Sequence, residues 1–180
     1  MHWLPFAEQK NSPHYDARPE GCAVDLLVIH NISLPAGCFG TPYIDDLFMG
    51  VIDCQAHPSF TDLAGVRVSA HCVIRRDGSI TQYVPFSARA WHAGVSEFQG
   101  RTRCNDFAIG IEMEGTDTFA YTAQQYQSLV RVTAWLQQHY PTISKERIVG
   151  HCDIAPGRKT DPGPAFDWQH YFTLLQHHES

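Results

Sequence analysis

The sequence predicts a single α/β domain: one central mixed β-sheet flanked by helices. Three observations predict it. Short apolar runs of strand length recur along the chain, at VDLLVIH (24–30), FAIGIEME (107–114) and RIVGHCD (147–153). Helical patterns and a hairpin signature are interspersed among these runs rather than segregated, as in a sheet packed by helices. The length, 180 residues, suits one domain with a full interior.

Composition narrows the classes of function. Hydrophobic residues make up 43% and charged residues 18%, which places the chain among ordinary globular proteins rather than disordered ones. A formal net charge of −6, with no Lys/Arg-rich run, argues against nucleic acid as a partner. No apolar stretch reaches membrane-spanning length, so a membrane is not an expected partner either.

Residues 1–20 read as a surface arm, with His2 and His14 solvated, as are His170, His177 and His178 near the other end. This start has neither the basic opening nor the apolar segment of a signal peptide, so a cytoplasmic protein is expected. The run 24–30 is almost continuously apolar, as in a strand covered on both faces, and it ends in His30. Residues 31–65 hold Pro35, Gly37, Gly40, Pro42, Gly50, Pro58 and Gly65, which makes them a long, loop-rich insertion with one short helix near 43–49. Loops of this length inside a compact domain often build a site.

VSAHCVI (68–74) and SITQYV (79–84) flank RRDG, and Asp77-Gly78 supplies the positive φ of a tight turn, so a hairpin is expected. Residues 91–106 read as a further loop. In 107–114, Phe107, Ile109, Ile111 and Met113 share one face of a strand, while Ala108, Gly110, Glu112 and Glu114 share the other. Thr122 opens a helix with Gln125 as its capping-box partner. Tyr126, Leu129, Val130, Thr133 and Leu136 follow helical spacing until Pro141 stops it. A last strand over 147–153 runs into a Pro/Gly loop, and 166–176 forms a closing helix.

Six cysteines, none in a C-x-x-C pair, are expected to be reduced thiols rather than a disulfide framework. Cys72 and Cys152 each adjoin a histidine. Neighbouring strand residues point to opposite faces, so neither pair is placed for proton transfer.

His30 and His151 each follow a short apolar strand, at the sheet edge where ligands bind in open α/β sheets. Together with Asp161, ten residues past His151 on a turning loop, they form a set of catalytic zinc type: three protein ligands and one position open for water. Spacing alone does not link His30 to His151, and a histidine at a strand end is more often a hydrogen-bonded rim residue. Glu112 and Glu114 lie on a face with room for substrate, where a carboxylate could serve as general base, or they are simply solvated. Lys159 is a surface cation or an oxyanion stabiliser. Arg67 and Arg103 bind substrate carboxylates or pair with surface acids. His71 reads as a buried, satisfied histidine. His92, beside Trp91, lines the pocket or simply packs.

Taken together, VIHNISLP, RVSAHCVIRRDGSITQYVPF, RAWHAGVS, RCNDFAIGIEMEGTD and GHCDIAPGRKTDPGPAFDW closely resemble the zinc-dependent N-acetylmuramoyl-L-alanine amidases. That superfamily includes phage amidases and peptidoglycan recognition proteins, and the closest resemblance is to its cytoplasmic branch acting on 1,6-anhydro-N-acetylmuramyl peptides. It covers about residues 12–168, with five motifs in the same order.

The resemblance implies that His30, His151 and Asp161 bind Zn2+. It also implies that Glu112, rather than Glu114, is the catalytic carboxylate and that Lys159 assists at the oxyanion. Asn31, Arg67, Trp91 and Arg103 match substrate-groove positions. The implied substrate is an anhydro-muramyl peptide, cut between its lactyl group and L-alanine. A monomer is expected. Two rivals stand beside this reading: a peptidoglycan-binding module that does not cut, expected to lack a ligand or the carboxylate, and an envelope amidase, expected to carry an export signal.

Overall fold

The computed structural model describes residues 2–179. In chain order its strands are β1 (Glu8–Gln9), β2 (Tyr15–Ala17), β3 (Leu26–Ile32), β4 (Cys72–Ile74), β5 (Ile80–Gln82), β6 (Ala88–Ala90), β7 (Glu97–Phe98), β8 (Arg101–Thr102), β9 (Ala108–Glu114) and β10 (Ile148–Gly150). The helices are α1 (Tyr43–Phe48), α2 (Ala123–His139), α3 (His151–Ile154) and α4 (Trp168–His178). Six strands form a mixed sheet in the order β1-β5-β4-β9-β3-β10. The β3–β9, β4–β9, β3–β10 and β1–β5 pairs are parallel, and β4–β5 is antiparallel.

Both faces of the two long central strands are covered, and apart from the polar residues at their C-terminal ends they are apolar on both. On one side Leu27, Ile29, Ile109, Ile111 and Met113 pack under α2 and α4 with Leu129, Leu136 and Tyr171. On the other, Leu26, Val28 and Ala108 meet Ala93, Cys104, Phe107 and Ile154. Phe107 therefore does not share a face with Ile109: it precedes the strand, at φ −126° and ψ 1°, outside the two-residue alternation. A third cluster seats α1, through Ile44, Leu47 and Phe48, against Val73, Tyr83 and Val84.

The hairpin forms as read, with Ile74 opposite Ile80 and Gly78 at φ +85°. The helix from Thr122 carries its full capping box: the Thr122 hydroxyl accepts from Gln125 N–H, and the Gln125 side chain accepts from Thr122 N–H. Only Cys72–Ile74 of the run 68–74 is regular strand, although His71 N–H still donates to the Gly110 carbonyl at 3.0 Å. Within 91–106, β7 and β8 form a small antiparallel ribbon.

Two expectations need correction. Residues 2–20 are not a detached surface arm: β1 extends the sheet beside β5, and β2 pairs with β6. Ser12 is buried and donates to the Phe48 carbonyl at 2.5 Å. His14 is buried against Trp91, and His2 meets the Tyr140 hydroxyl, whereas His170, His177 and His178 are exposed. Strands of two or three residues are too short to show an alternating pattern, so they were invisible to periodicity. The second correction concerns His151. The strand stops at Gly150 and His151 begins a one-turn helix, because the Asp153 carboxylate accepts from Gly150 N–H at 2.8 Å and closes the turn.

Candidate active site

The β3–β9 register sets the first part of the site. His30 lies directly opposite Glu112 on the adjacent parallel strand, so both side chains leave the same face of the sheet. β10, on the far side of β3, delivers His151 at the start of α3. The 155–163 loop turns back on this helix and is pinned where Cys152 N–H donates to the Asp161 carbonyl at 3.0 Å. Three segments distant in sequence thus converge.

His30 Nδ1 lies 3.0 Å from His151 Nδ1 and 3.4 Å from Asp161 Oδ2, and His151 Nδ1 lies 3.3 Å from Asp161 Oδ1. Hydrogen positions follow from partners. His151 Nε2 sits 3.0 Å from the Ala93 carbonyl, which can only accept, so Nε2 carries the hydrogen and Nδ1 turns a lone pair inward. Burial pushes the His30 imidazole down to about 4, keeping it neutral. Burial alone would raise Asp161, but its contacts with His151 and His30 outweigh this and hold it ionised, well below the usual carboxylate range. Electron-rich atoms facing one another at these distances call for a cation, and two imidazoles with one carboxylate match the donors zinc prefers.

Glu112 borders this cluster, with Oε1 3.9 Å from His30 Nδ1. Its Oε2 is buried without a hydrogen-bond partner. Burial and the Asp161 charge push the Glu112 carboxyl well above the ordinary range, with Lys159 opposing the shift. Glu114, two residues on, is occupied: its oxygens accept from Arg76 N–H at 3.1 Å and Gly40 N–H at 2.9 Å. Neither glutamate is solvated. The strand face expected to be open beside Gly110 is filled by the His92 ring.

A cleft of about 740 Å³ opens above the cluster, lined by His30, Asn31, Trp91, Glu112, His151, Lys159 and Asp161 among others. Asn31 is largely committed: its amide donates to Asp117 Oδ1 at 2.8 Å and to the Pro162 carbonyl at 3.2 Å, and its backbone N–H donates to Asp161 Oδ2 at 3.3 Å. The Trp91 ring stacks on His14 and donates through Nε1 to Asp16 at 3.2 Å. Arg67 and Arg103 are exposed and are not among the lining residues. His71 is buried and satisfied, accepting from Gly110 N–H at 3.1 Å and donating to the Ala88 carbonyl at 3.0 Å. His57 only caps the 3₁₀ helix Pro58–Leu63. The six cysteines are unpaired thiols, and burial raises both Cys72 and Cys152. His151 and Cys152 sit side by side on a helical turn and do not face each other.

Two residues escaped the sequence reading. Asp117 ties the loop after β9 to Asn31 and to the Thr160 hydroxyl, and its carbonyl accepts from Ala165 N–H. Arg158 donates to the Ala93 and Val95 carbonyls, each at 2.7 Å, holding the loop that orients His151. Neither position carries a local signal, because each acts on groups far away in sequence.

A family model for N-acetylmuramoyl-L-alanine amidases (Amidase_2) matches residues 20–164, and this chain belongs to that family. Its relatives include the 1,6-anhydro-N-acetylmuramyl-L-alanine amidase AmpD of Escherichia coli (strain K12), 64% identical over 96% of this chain and 94% of the relative. The crystal structure of a selenomethionine AmpD derivative superimposes with a TM-score of 0.94 at 62% identity, covering 96% of each chain. AmiD from E. coli was solved with the substrate anhydro-N-acetylmuramic acid-L-Ala-D-gamma-Glu-L-Lys. It matches with a TM-score of 0.61 at 30% identity, over 87% of this chain and 60% of that one.

Proposed function

We propose that the protein is a zinc amidase that cleaves the bond between the lactyl group of 1,6-anhydro-N-acetylmuramic acid and L-alanine in soluble muropeptides during peptidoglycan recycling. The observation that carries this reading is the meeting of His30 Nδ1, His151 Nδ1 and the Asp161 carboxylate beside an unpartnered, buried Glu112 oxygen. The 64% identity to AmpD supports the substrate class, as does the cleft, whose size suits a sugar–peptide junction.

His30, His151 and Asp161 would hold the zinc. Bound there, zinc supplies a Lewis acid that makes water nucleophilic near neutral pH. Glu112 accepts the proton of the attacking water and returns it to the departing alanine amine; its unpartnered Oε2 is an oxygen free for that role. Lys159, exposed in the lining, meets the carbonyl oxygen as it gains charge. Asn31 and Trp91, both in the cleft lining, border the substrate groove. Arg67 and Arg103 are exposed, and neither side chain is held in a hydrogen bond or ion pair with another described residue, which suits arginines kept for carboxylates of a stem peptide extending past the cleft. The chain acts as a monomer in the cytoplasm: its net charge of −6 gives no hold on an anionic wall or membrane.

Incubation of the purified protein with anhydro-muramyl tripeptide, with and without a chelator, tests this by product mass. Release of free tripeptide and anhydro sugar, abolished by the chelator and restored by zinc, is expected. Turnover indifferent to thorough chelation overturns the metal; an intact substrate overturns the activity.

A further inference from the structure

We propose that His92 is a positioning residue for the metal centre, presenting Nδ1 as the acceptor that holds the His30 ring with its own Nδ1 turned to the metal. This rests on the zinc reading above.

A ligating imidazole must offer one nitrogen without a hydrogen, and the other nitrogen then carries the hydrogen and needs an acceptor. For His151 that acceptor is the Ala93 carbonyl at 3.0 Å. For His30 it is a side chain: His30 Nε2 lies 2.9 Å from His92 Nδ1, with the rings near perpendicular at 86°. Two successive residues, 92 and 93, therefore orient both histidines. Their backbone is fixed for the purpose, since the Asn105 side-chain oxygen accepts from His92 N–H at 3.1 Å and from Ala93 N–H at 2.8 Å.

Two further observations point the same way. The His92 ring lies on bare backbone: a Cβ at Gly110 would come within 2.5 Å of its Cγ and Nδ1. Glycine at the third position of β9 is thus explained by the ring rather than by any backbone angle. In addition, His92 Nε2 is buried with no hydrogen-bond partner. Nδ1 can accept only if the ring hydrogen sits on Nε2, where no protein group receives it. A histidine retained for packing would satisfy that nitrogen. Among the described residues, the only hydrogen bond its ring makes is the one to His30.

Zinc affinity, measured by competition with a chromophoric chelator, tests the proposal without recourse to turnover. His92→Leu is expected to bind zinc about 10- to 100-fold more weakly than wild type. His92→Asn, whose side-chain oxygen can reach the Nδ1 position, should recover most of that loss. Gly110→Ala should weaken binding similarly although it alters no ligand, and His92→Ala/Gly110→Ala should bind no more weakly than His92→Ala. A folded His92→Leu protein with wild-type affinity overturns the proposal, as does a His92→Asn protein no better than His92→Leu. Should His92→Leu fail to fold, Gly110→Ala decides: undiminished affinity overturns it. Wild-type protein that takes up no zinc brings down the metal reading itself, a result distinct from equal binding by wild type and variant.

Discussion

Glu112 and Glu114 stand two residues apart on one strand face, both buried, with opposite assignments. Glu114 accepts from two backbone N–H groups and ties the 31–65 segment and the hairpin to β9. Glu112 keeps a buried oxygen without a partner and sits 3.9 Å from a proposed ligand. An oxygen left unsatisfied in the interior is costly, and it is retained where chemistry needs it. Glu112→Gln removes the proton acceptor but not the volume. It should keep zinc and lose on the order of 100- to 10,000-fold in kcat, read from initial rates beside a metal determination. A variant within a few-fold of wild type would remove Glu112 from the reaction. Alternation showed that the two glutamates share a face. It could not show which one finds partners, since those partners, Gly40 and Arg76, come from other segments.

At the scale of elements, strong local chemistry was legible and weak chemistry was not. The capping box at Thr122, the Asp77-Gly78 turn and the apolar run of β3 each declare themselves within a few residues. The N-terminal strands do not, yet the segment is firmly attached. Arg18, just past β2, donates to the carbonyls of Phe86, Asn105, Asp106 and Ala108 at 3.0 to 3.1 Å, and burial lowers its guanidinium to about 10. A lone arginine in a polar stretch reads as a surface charge, and only the backbone carbonyls gathered around it reveal its use. Arg18→Met keeps most of the side-chain volume but strands those carbonyls. It should destabilise the protein by on the order of 3 kcal/mol, measured from the denaturant midpoint. A shift under about 0.5 kcal/mol would show that water replaces the guanidinium without loss.

For the whole molecule, the proposed centre is a clasp as well as a site. His30 and His151 are 121 positions apart, on β3 and α3, and Asp161 comes from the loop behind them. A cation that binds only this assembled arrangement stabilises it, by about 2.7 kcal/mol at a hundredfold excess over Kd. In a chain of this size each kcal/mol moves Tm by roughly 2–4 °C. Chelation should therefore lower Tm by several degrees in wild type and leave Asp161→Ala unmoved; a wild-type Tm indifferent to chelator counts against a cation here. The sequence by itself determined the strand and helix patterns, the candidate donors and, through five ordered motifs, their family. What only the tertiary structure decided was which atoms meet: Nδ1 of each histidine, His92 behind one and Ala93 behind the other, and Glu112 left unpartnered. The division has a physical cause. Periodicity and capping act over a few residues of one chain segment, whereas a site is made by strand register and loop return, which place side chains from different segments within hydrogen-bond distance.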